Sequence, residues 1–437
     1  MANATDSDRT IVPAALPVAG GCPLHDRQGG FTPFFSDELY AALAAVRRSQ
    51  PVFYCEEIDH WVIAKYEDVL SVLRDTESYS AQNATLRLEP LHDDALGILR
   101  AGGFAPDTPQ GSIDPPRHKR IRDATNPLMT VKAVAALEGR IRDVVRSFLD
   151  RLDGRNRIDL LKDFAYELPA HVLFQLLGVP AKDAQKVKGL ASGRLQIDFS
   201  PATYEQQLQG AHNLVGLWHY SVDLVKDRVQ NPRDDFPSGL LKCRNGDDNV
   251  LTINEINTIV YGLFFAGHET TTNQLANAFR ELLAERRNYE AICADPALIP
   301  NAIEEAFRLY GTVIGWRRRT KRDVAVRGID IPAGSNILLS FASANRDEDV
   351  FPDPDVFDIR RSNARRHLTM GNGIHFCLGA PLARLEMKIV LEEFTKRFPK
   401  AHLVPNQSLT HFHTFVFRAP EALLVDLERP NRECSEQ

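Results

Sequence analysis

The stretch Met370-Gly371-Asn372-Gly373-Ile374-His375-Phe376-Cys377-Leu378-Gly379 surrounds one cysteine with glycines, just before an apolar helical pattern. Because glycine accepts positive φ angles and close backbone approach, several N–H groups can converge on one sulfur. The positive end of the following helix would lie near the same sulfur. Both effects favour the thiolate, which is the form that binds metals. Taken alone, the pattern fits equally well a glycine-rich turn around a buried, inert cysteine.

Zinc is a poor match for this loop. His375 lies close to Cys377, but no second pair of ligands follows, and a structural zinc site needs four. The 6 cysteines of the chain are scattered, without a Cys-x-x-Cys pair, which also argues against a disulfide scaffold.

A second pattern, Ala266-Gly267-His268-Glu269-Thr270-Thr271, lies inside an apolar helical repeat. Gly and Thr are weak helix formers, and a Thr hydroxyl can bond to the carbonyl one turn earlier and loosen the helix. Gly267 leaves room for a ligand against the backbone, and the acid–alcohol pair Glu269-Thr270 can relay protons. A solvated helix face with small residues would account for the same letters.

Two pairs of charged residues have helical spacing. Glu305 and Arg308 stand at i, i+3, and Glu304 could pair with the same arginine at i, i+4. His118 and Arg122 stand at i, i+4, so that two cationic donors on one face could hold a carboxylate. Each pattern also fits an exposed helix face, where an ion pair contributes about 0–1 kcal/mol.

Together these patterns resemble the signatures of the cytochrome P-450 family of the bacterial, soluble type, in the family's order over residues 35–425. The cysteine loop is similar to the family's haem-binding motif Phe-x-x-Gly-x-His-x-Cys-x-Gly, matched at Gly373, His375, Cys377 and Gly379. Met370 stands where the family has Phe, a substitution that bears on the packing beneath the sulfur and on redox tuning.

The resemblance implies a haem b cofactor (iron protoporphyrin IX) whose iron takes Cys377 as its axial thiolate, the one metal ligand from the protein. It implies that basic residues hold the haem propionates, namely His118, Arg122, Arg318 and His375. Arg317 and Arg319 flank Arg318, which leaves the register of that arginine open by one residue.

The resemblance also implies roles around the helix motif. Ala266 and Gly267 would lie against the haem, while Thr270 and Glu269 would be catalytic and deliver protons during oxygen activation. Glu305 and Arg308 would form a buried structural pair, joined by Arg361. The substrate pocket would be lined by residues 85–110 and by five further side chains: Leu263, Val313, Ile314, Trp316 and Phe415.

Composition excludes other classes of function. A net charge of -6 is not that of a typical nucleic-acid binder. The sequence has no apolar run long enough to span a membrane, so we expect no membrane insertion. Met1 to Arg9 is polar and unlike a signal peptide, which predicts a cytoplasmic protein.

The implied function is that of a haem-thiolate monooxygenase. It would insert one oxygen atom from O2 into a small or medium-sized apolar organic substrate, by hydroxylation or O-dealkylation. No glycine-rich flavin or dinucleotide fingerprint is present, which predicts electrons from a separate ferredoxin or flavodoxin and its NAD(P)H reductase. A basic patch could dock that partner or be an ordinary solvated surface: Arg117, Lys119, Arg120, Arg360, Arg365 and Arg366.

Two other functions are open at this point. One is a peroxide-driven haem-thiolate oxidase, whose members typically lack the acid–alcohol pair. The other is a haem-binding sensor or carrier without turnover, in which Glu269 and Thr270 would be superfluous.

The expected fold is mainly α with small β-sheets, the cytochrome P-450 fold, in which a triangular helical domain surrounds the haem. Residues 1–30 are expected to form a flexible leader and residues 31–437 one haem domain. The capping box Thr252-x-x-Glu255 predicts one long helix that continues to about Arg286. Short strands are predicted at 52–54, 61–63, 324–326, 329–331 and 337–339, and an irregular loop over 81–116.

Overall fold

The computed structural model describes residues 38–87, 89–192, 194–199, 202–411 and 414–428. The expected leader, residues 1–30, lies outside these ranges. The described part is mostly helical, as predicted. Its helices are α1 Leu39–Ser49, α2 Tyr66–Arg74, α3 Asp93–Ala101, α4 Arg117–Thr125, α5 Val131–Ala135, α6 Glu138–Asp150, α7 Leu168–Leu177, α8 Ala184–Ala191, α9 Arg194–Phe199, α10 Tyr204–Gln230, α11 Phe236–Arg244, α12 Ile253–Ala266, α13 Glu269–Ala284, α14 Arg286–Ala294, α15 Ile299–Tyr310, α16 Phe341–Ala344 and α17 Ala380–Arg397.

Small sheets complete the fold and confirm the predicted strands. The strands are β1 Val52–Cys55, β2 His60–Ile63, β3 Tyr79–Ser80, β4 Arg157–Asp159, β5 Gly315–Thr320, β6 Val324–Val326, β7 Ile329–Ile331, β8 Asn336–Ser340, β9 His402–Leu403 and β10 Leu424–Asp426. The largest sheet has the order β1-β2-β8-β5-β3. β1 and β2 form the expected hairpin, and β2 pairs in parallel with β8 from the far end of the chain.

The prediction of one long helix from Thr252 to Arg286 is wrong at its middle. The capping box is present, because the Thr252 hydroxyl accepts a hydrogen bond from the Glu255 N–H at 3.1 Å and Glu255 accepts from the Thr252 N–H at 2.9 Å. The helix nevertheless stops at Ala266 and starts again at Glu269. A Cβ atom at Gly267 would lie 2.9 Å from a methyl group of Leu173, so the bend there brings α7 into close contact.

The loop predicted over 81–116 also needs a correction, because it contains α3. The His92 side chain caps this helix by accepting a hydrogen bond from the Asp94 N–H at 3.2 Å. Histidine is not among the preferred helix caps, so the signal was not visible in the sequence.

A buried ionic network anchors α15. Arg308 donates to both Glu305 oxygens at 2.7 and 2.8 Å, and both side chains are 0% exposed. Arg361 donates to the same carboxylate at 3.0 Å. Glu304, the competing acid, accepts instead from Arg384 at 2.7 Å and contacts His367 at 3.1 Å.

Removing one partner of a buried pair leaves an uncompensated charge. We therefore expect Glu305→Ala to lower the free energy of unfolding by about 3–5 kcal/mol. Asp248→Ala is the matched control, since that acid pairs with Arg244 but is 68% exposed. The control should cost about 0–1 kcal/mol. Urea unfolding followed by circular dichroism measures both, and equal losses in the two variants would refute the anchoring role.

Candidate active site

The cysteine loop enters α17 through backbone conformations that need glycine. Gly371 and Gly373 have φ angles of 72° and 70°, in the left-handed region. A Cβ atom on Gly373 would also lie 2.8 Å from the Leu73 carbonyl oxygen. The Cys377 N–H donates to the Met370 carbonyl at 2.9 Å, which closes the loop. A side chain at either glycine would therefore displace the cysteine.

The surroundings of the Cys377 sulfur contain opposing influences. Burial among protein atoms raises the pKa of the thiol, whereas N–H groups of Gly379 and Ala380 and the charges of Arg122 and Arg384 lower it. Metal coordination deprotonates a thiol outright. The N–H groups and cations are thus arranged to stabilise a thiolate once it is formed.

Cys377 lines a cavity of about 400 Å³ enclosed between α12, α13, α17 and the large sheet. Met370 is partly buried and lines the same cavity. A volume of this order, lined mainly by apolar groups with a few convergent polar ones, is typical of ligand and cofactor sites.

Four basic residues predicted to hold carboxylates converge at the edge of this cavity. The rings of His118 and His375 lie 4.0 Å apart between centroids. Arg122 donates to His118 Nε2 at 3.3 Å and to the Phe376 carbonyl at 2.7 Å. Arg122, His375 and Arg318 line the cavity. The structure therefore brings together residues from α4, β5 and the cysteine loop.

No carboxylate of the described residues is in contact with these four side chains, although the charge of Asp114 reaches His118 and Arg318. Burial, together with neighbouring cations, lowers the pKa of His118 to about 4 and that of His375 to about 2. Burial lowers the pKa of Arg318 to about 10. Within the described residues none of the four forms an ion pair with a carboxylate, and the buried His375 Nδ1 has no hydrogen-bond partner. Two haem carboxylates would supply the missing charge, so these residues fit that cofactor.

The open register at Arg318 is resolved by strand alternation in β5. Arg317 does not line the cavity and donates to the Ala84 and Leu86 carbonyls. Arg319 is exposed and donates to the Gly334 carbonyl at 3.0 Å. Arg318 lies between them and faces the cavity.

The helix break forms the opposite wall. Ala266, Gly267 and Thr270 line the cavity, and the Thr270 hydroxyl donates to the Ala266 carbonyl at 2.9 Å. Glu269 begins α13, where a helix N-terminus favours a carboxylate. Burial lowers the pKa of Lys188 to about 8, and the Glu269 charge opposes that effect. Acid and alcohol are thus consecutive residues at the start of α13, with Thr270 at the cavity wall.

The predicted pocket residues divide into two groups. Leu263, Val313 and Trp316 line the cavity. Ile314 and Phe415 do not line the cavity; both side chains are buried in a core cluster that also contains Phe417, which does line it. Two segments of the predicted loop contribute Thr85 and Pro109–Gly111. The lining residues that were not predicted from the sequence include Arg194, Asp198 and Phe417. No local motif marks them.

The expected basic patch is smaller than predicted. Arg117 and Arg120 are only partly exposed and both pair with Glu255, at 2.9 and 2.6 Å. Lys119 pairs with Asp123 on its own helix. The exposed members, apart from Lys119, are Arg360, Arg365 and Arg366.

No helix in the described part of the chain combines the length and the apolar character needed to cross a membrane.

Several known proteins are similar to this chain over most of its length. A family model described as Cytochrome P450 matches residues 294–424. The chain is 33% identical to cytochrome P450(MEG) of Priestia megaterium over 377 residues, which cover 85% of this chain and 89% of the relative. It is 31% identical to 6-deoxyerythronolide B hydroxylase of Saccharopolyspora erythraea over 372 residues, 84% of this chain and 91% of that one.

Solved structures give the same result. Cytochrome P450 CREJ in complex with (4-ethylphenyl) dihydrogen phosphate superposes with a TM-score of 0.87 at 34% identity, covering 91% of this chain and 99% of that chain. The Tepidiphilus thermophilus P450 heme domain superposes with a TM-score of 0.88 at 31% identity, covering 92% and 98%.

The basic residues at the cavity edge can be tested by haem retention. We expect Arg318→Ala to weaken haem binding about tenfold or more, since a hydrogen bond to a charged group contributes about 1.5–3 kcal/mol. Transfer of haem to an excess of apomyoglobin measures the loss rate. Arg319→Ala, which removes the exposed neighbour, should release haem at the wild-type rate. Equal rates of haem loss in the two variants would show that Arg318 does not hold the haem.

Proposed function

Because this chain belongs to the cytochrome P450 family, we propose that it inserts one oxygen atom from O2 into a small or medium-sized apolar organic molecule, by hydroxylation or O-dealkylation. It is a haem-thiolate monooxygenase that uses O2, redox partners and an organic substrate. The observation that carries the finer proposal is that Cys377 and Thr270 line one cavity together with apolar side chains. Residues 31–437 would form its single haem domain.

The first task of the chain is to hold the cofactor. When bound, the haem would supply the oxygen chemistry, and a thiolate ligand to its iron favours cleavage of the O–O bond. Cys377 would provide that thiolate. His118, Arg122, Arg318 and His375 would hold the two carboxylates by charge-assisted hydrogen bonds. Ala266 and Gly267 would leave space for the cofactor, because neither carries a bulky side chain.

The second task is to move protons into an apolar cavity. The Thr270 Oγ1 proton lies within the cavity wall, in a hydrogen bond to the Ala266 carbonyl. Rotation of the hydroxyl presents this proton to the cavity. Glu269, the adjacent residue, takes up a proton from outside the cavity and passes it to Thr270 Oγ1, which returns Glu269 to the carboxylate. This assignment gives the acid–alcohol pair a role that neither a peroxide-driven oxidase nor a haem sensor would need.

The third task is to orient an apolar substrate and exclude water. Leu263, Val313, Trp316 and Phe417 give the cavity an apolar wall. The names of several relatives support oxygen insertion, among them mycinamicin IV hydroxylase/epoxidase of Micromonospora griseorubida. The ligand of cytochrome P450 CREJ, (4-ethylphenyl) dihydrogen phosphate, supports a substrate built on about one ring.

The electrons would arrive from a ferredoxin or flavodoxin with its NAD(P)H reductase. Arg365 and Arg366 are 76% and 52% exposed, and with the exposed Arg360 they offer positive charge to an acidic partner. A cytoplasmic location belongs to the same proposal, because reduced nicotinamide cofactors are supplied there.

Thr270→Ala tests the proton role. We expect the fraction of consumed O2 that appears as product to fall about tenfold or more, with hydrogen peroxide released instead, since positioned acid–base groups contribute about 10²–10⁴-fold in rate. Product, O2 and peroxide are measured in one reaction mixture. Thr272→Ala is the control, because that hydroxyl donates to the Ala165 carbonyl away from the cavity.

Unchanged coupling in Thr270→Ala would end the proton-delivery proposal. A wild-type enzyme that forms product at full rate from hydrogen peroxide, but not from O2 and reductant, would favour the peroxide-driven alternative.

A further inference from the structure

Where α9 lines the cavity, positive charges outnumber negative ones among the described residues. Asp198 lines the cavity and lies 2.7 Å from Arg194 and 3.1 Å from Arg87. Arg317 is close enough for the Asp198 charge to act on its pKa. We call these four residues the arginine cluster. Three guanidinium groups therefore share a single carboxylate.

Arg194 is the arginine of this cluster that lines the cavity. It donates to the Tyr261 hydroxyl at 2.6 Å, and its guanidinium lies 4.0 Å from the centre of the Phe265 ring. Burial alone would lower the pKa of Arg194, but Asp198 and Tyr261 raise it. These contacts hold a permanent positive charge at a defined place in an otherwise apolar wall.

Arg317 adds a positive charge that is not in contact with any carboxylate of the described residues. Its side chain is 3% exposed and its hydrogen bonds go to the Ala84 and Leu86 carbonyls. Its Nε has no hydrogen-bond partner among the described residues. Burial lowers the pKa of Arg317 to about 10, because removing the guanidinium from water disfavours its charged form.

A buried charge costs several kcal/mol unless an opposite charge lies nearby. The arginine cluster carries three positive charges and one negative, so one further anion would improve its balance. Desolvated cations next to a ligand cavity attract a ligand that brings this anion. Arginine suits carboxylate and phosphate groups because its planar donors match two oxygens at once.

We propose that the arginine cluster is an oxyanion subsite, and that the substrate is an amphiphile with a carboxylate or phosphate group at one end and an apolar body. The proposal rests on the proposed monooxygenase function and narrows its substrate class. The oxyanion pairs with Arg194 at the cavity wall. The apolar body lies along α12 toward Ala266 and Thr270.

The same geometry predicts where oxidation occurs. Tyr261, which positions Arg194, precedes Ala266 by five residues in α12, which corresponds to about 7–8 Å along the helix axis. The oxidised atom therefore lies at the apolar end of the substrate, about the length of one substituted ring from the anion.

The test compares matched ligands that differ in one end group. Isothermal titration calorimetry of the holoenzyme measures binding of (4-ethylphenyl) dihydrogen phosphate, 4-ethylbenzoate, 4-ethylbenzamide and 4-ethylphenol. At least one oxyanion should bind about tenfold or more tightly than either neutral compound, since one charge-assisted hydrogen bond is worth about 1.5–3 kcal/mol. The oxyanion that binds more tightly of the two shows whether the subsite prefers a phosphate or a carboxylate. Neutral compounds that bind as tightly as both oxyanions would overturn the proposal.

Two variants with opposite expected effects exclude a general loss of structure. Arg194→Gln should weaken oxyanion binding about tenfold and change the affinity for 4-ethylphenol less than about threefold. Asp198→Asn removes the competing carboxylate and should strengthen oxyanion binding. Arg287→Gln, at a side chain 77% exposed, is the control. If Arg194→Gln does not fold, oxyanion binding that is unchanged or weaker in Asp198→Asn contradicts the proposal.

Binding is measured without reductant, so the subsite and the proposed function fail separately. Tight oxyanion binding without product from O2 and reductant would leave the subsite and refute the monooxygenase assignment for these ligands. Oxidation of the neutral compounds, with no preference for oxyanions, would support the monooxygenase assignment and refute the oxyanion subsite.

Discussion

A sulfur anion held inside a mainly apolar cavity is the constraint on which the rest of this structure depends. Taking a charge out of water is costly, so the chain must offset it locally with N–H groups, nearby cations and a metal. Gly371 and Gly373 give the loop its turns, and α17 begins directly behind the sulfur. The N–H groups of Gly379 and Ala380 then meet it from the helix side. The cation Arg122 contributes from a helix far away in sequence.

The buried pair of Glu305 and Arg308 connects the cysteine loop to α15. Arg308 donates to the Asn345 carbonyl at 2.8 Å, and the Asn345 side chain accepts from the Leu368 N–H at 2.7 Å. Asn345 also donates to the Thr369 hydroxyl at 2.9 Å. A continuous chain of buried hydrogen bonds thus runs from α15 to the residue before the cysteine loop. Such a network fixes the direction in which the loop leaves the core.

Local patterns explain which features were predictable. The capping box at Thr252, the hairpin of β1 and β2 and the glycine-rich cysteine loop are determined by residues a few positions apart. The helix break at Gly267 was only partly predictable: the weak helix formers Gly267 and Thr270 are visible in the sequence, whereas the contact with Leu173 on α7 is not. Pairing of Arg117 with Glu255 likewise joins residues distant in the chain.

The residues of the candidate site likewise divide into those that local sequence patterns indicate and those that only long-range contacts bring together. His118, Arg122, Arg318 and His375 were identified because a family resemblance supplied the long-range information that spacing lacks. The arginine cluster has no such signature, since Arg87 and Arg317 approach Asp198 only through tertiary packing. Ile314 illustrates the same limit, because its neighbours Val313 and Trp316 line the cavity whereas Ile314 packs in the core.

The coordination of haem iron by Cys377 is the central claim, and the absorption spectrum of the reduced, carbon monoxide-bound holoenzyme tests it most directly. The wild-type protein should show the red-shifted Soret band that a thiolate ligand produces. Cys377→Ser, loaded to the same haem content, should lose that band. A serine variant that keeps the red-shifted band would show that another residue ligates the iron.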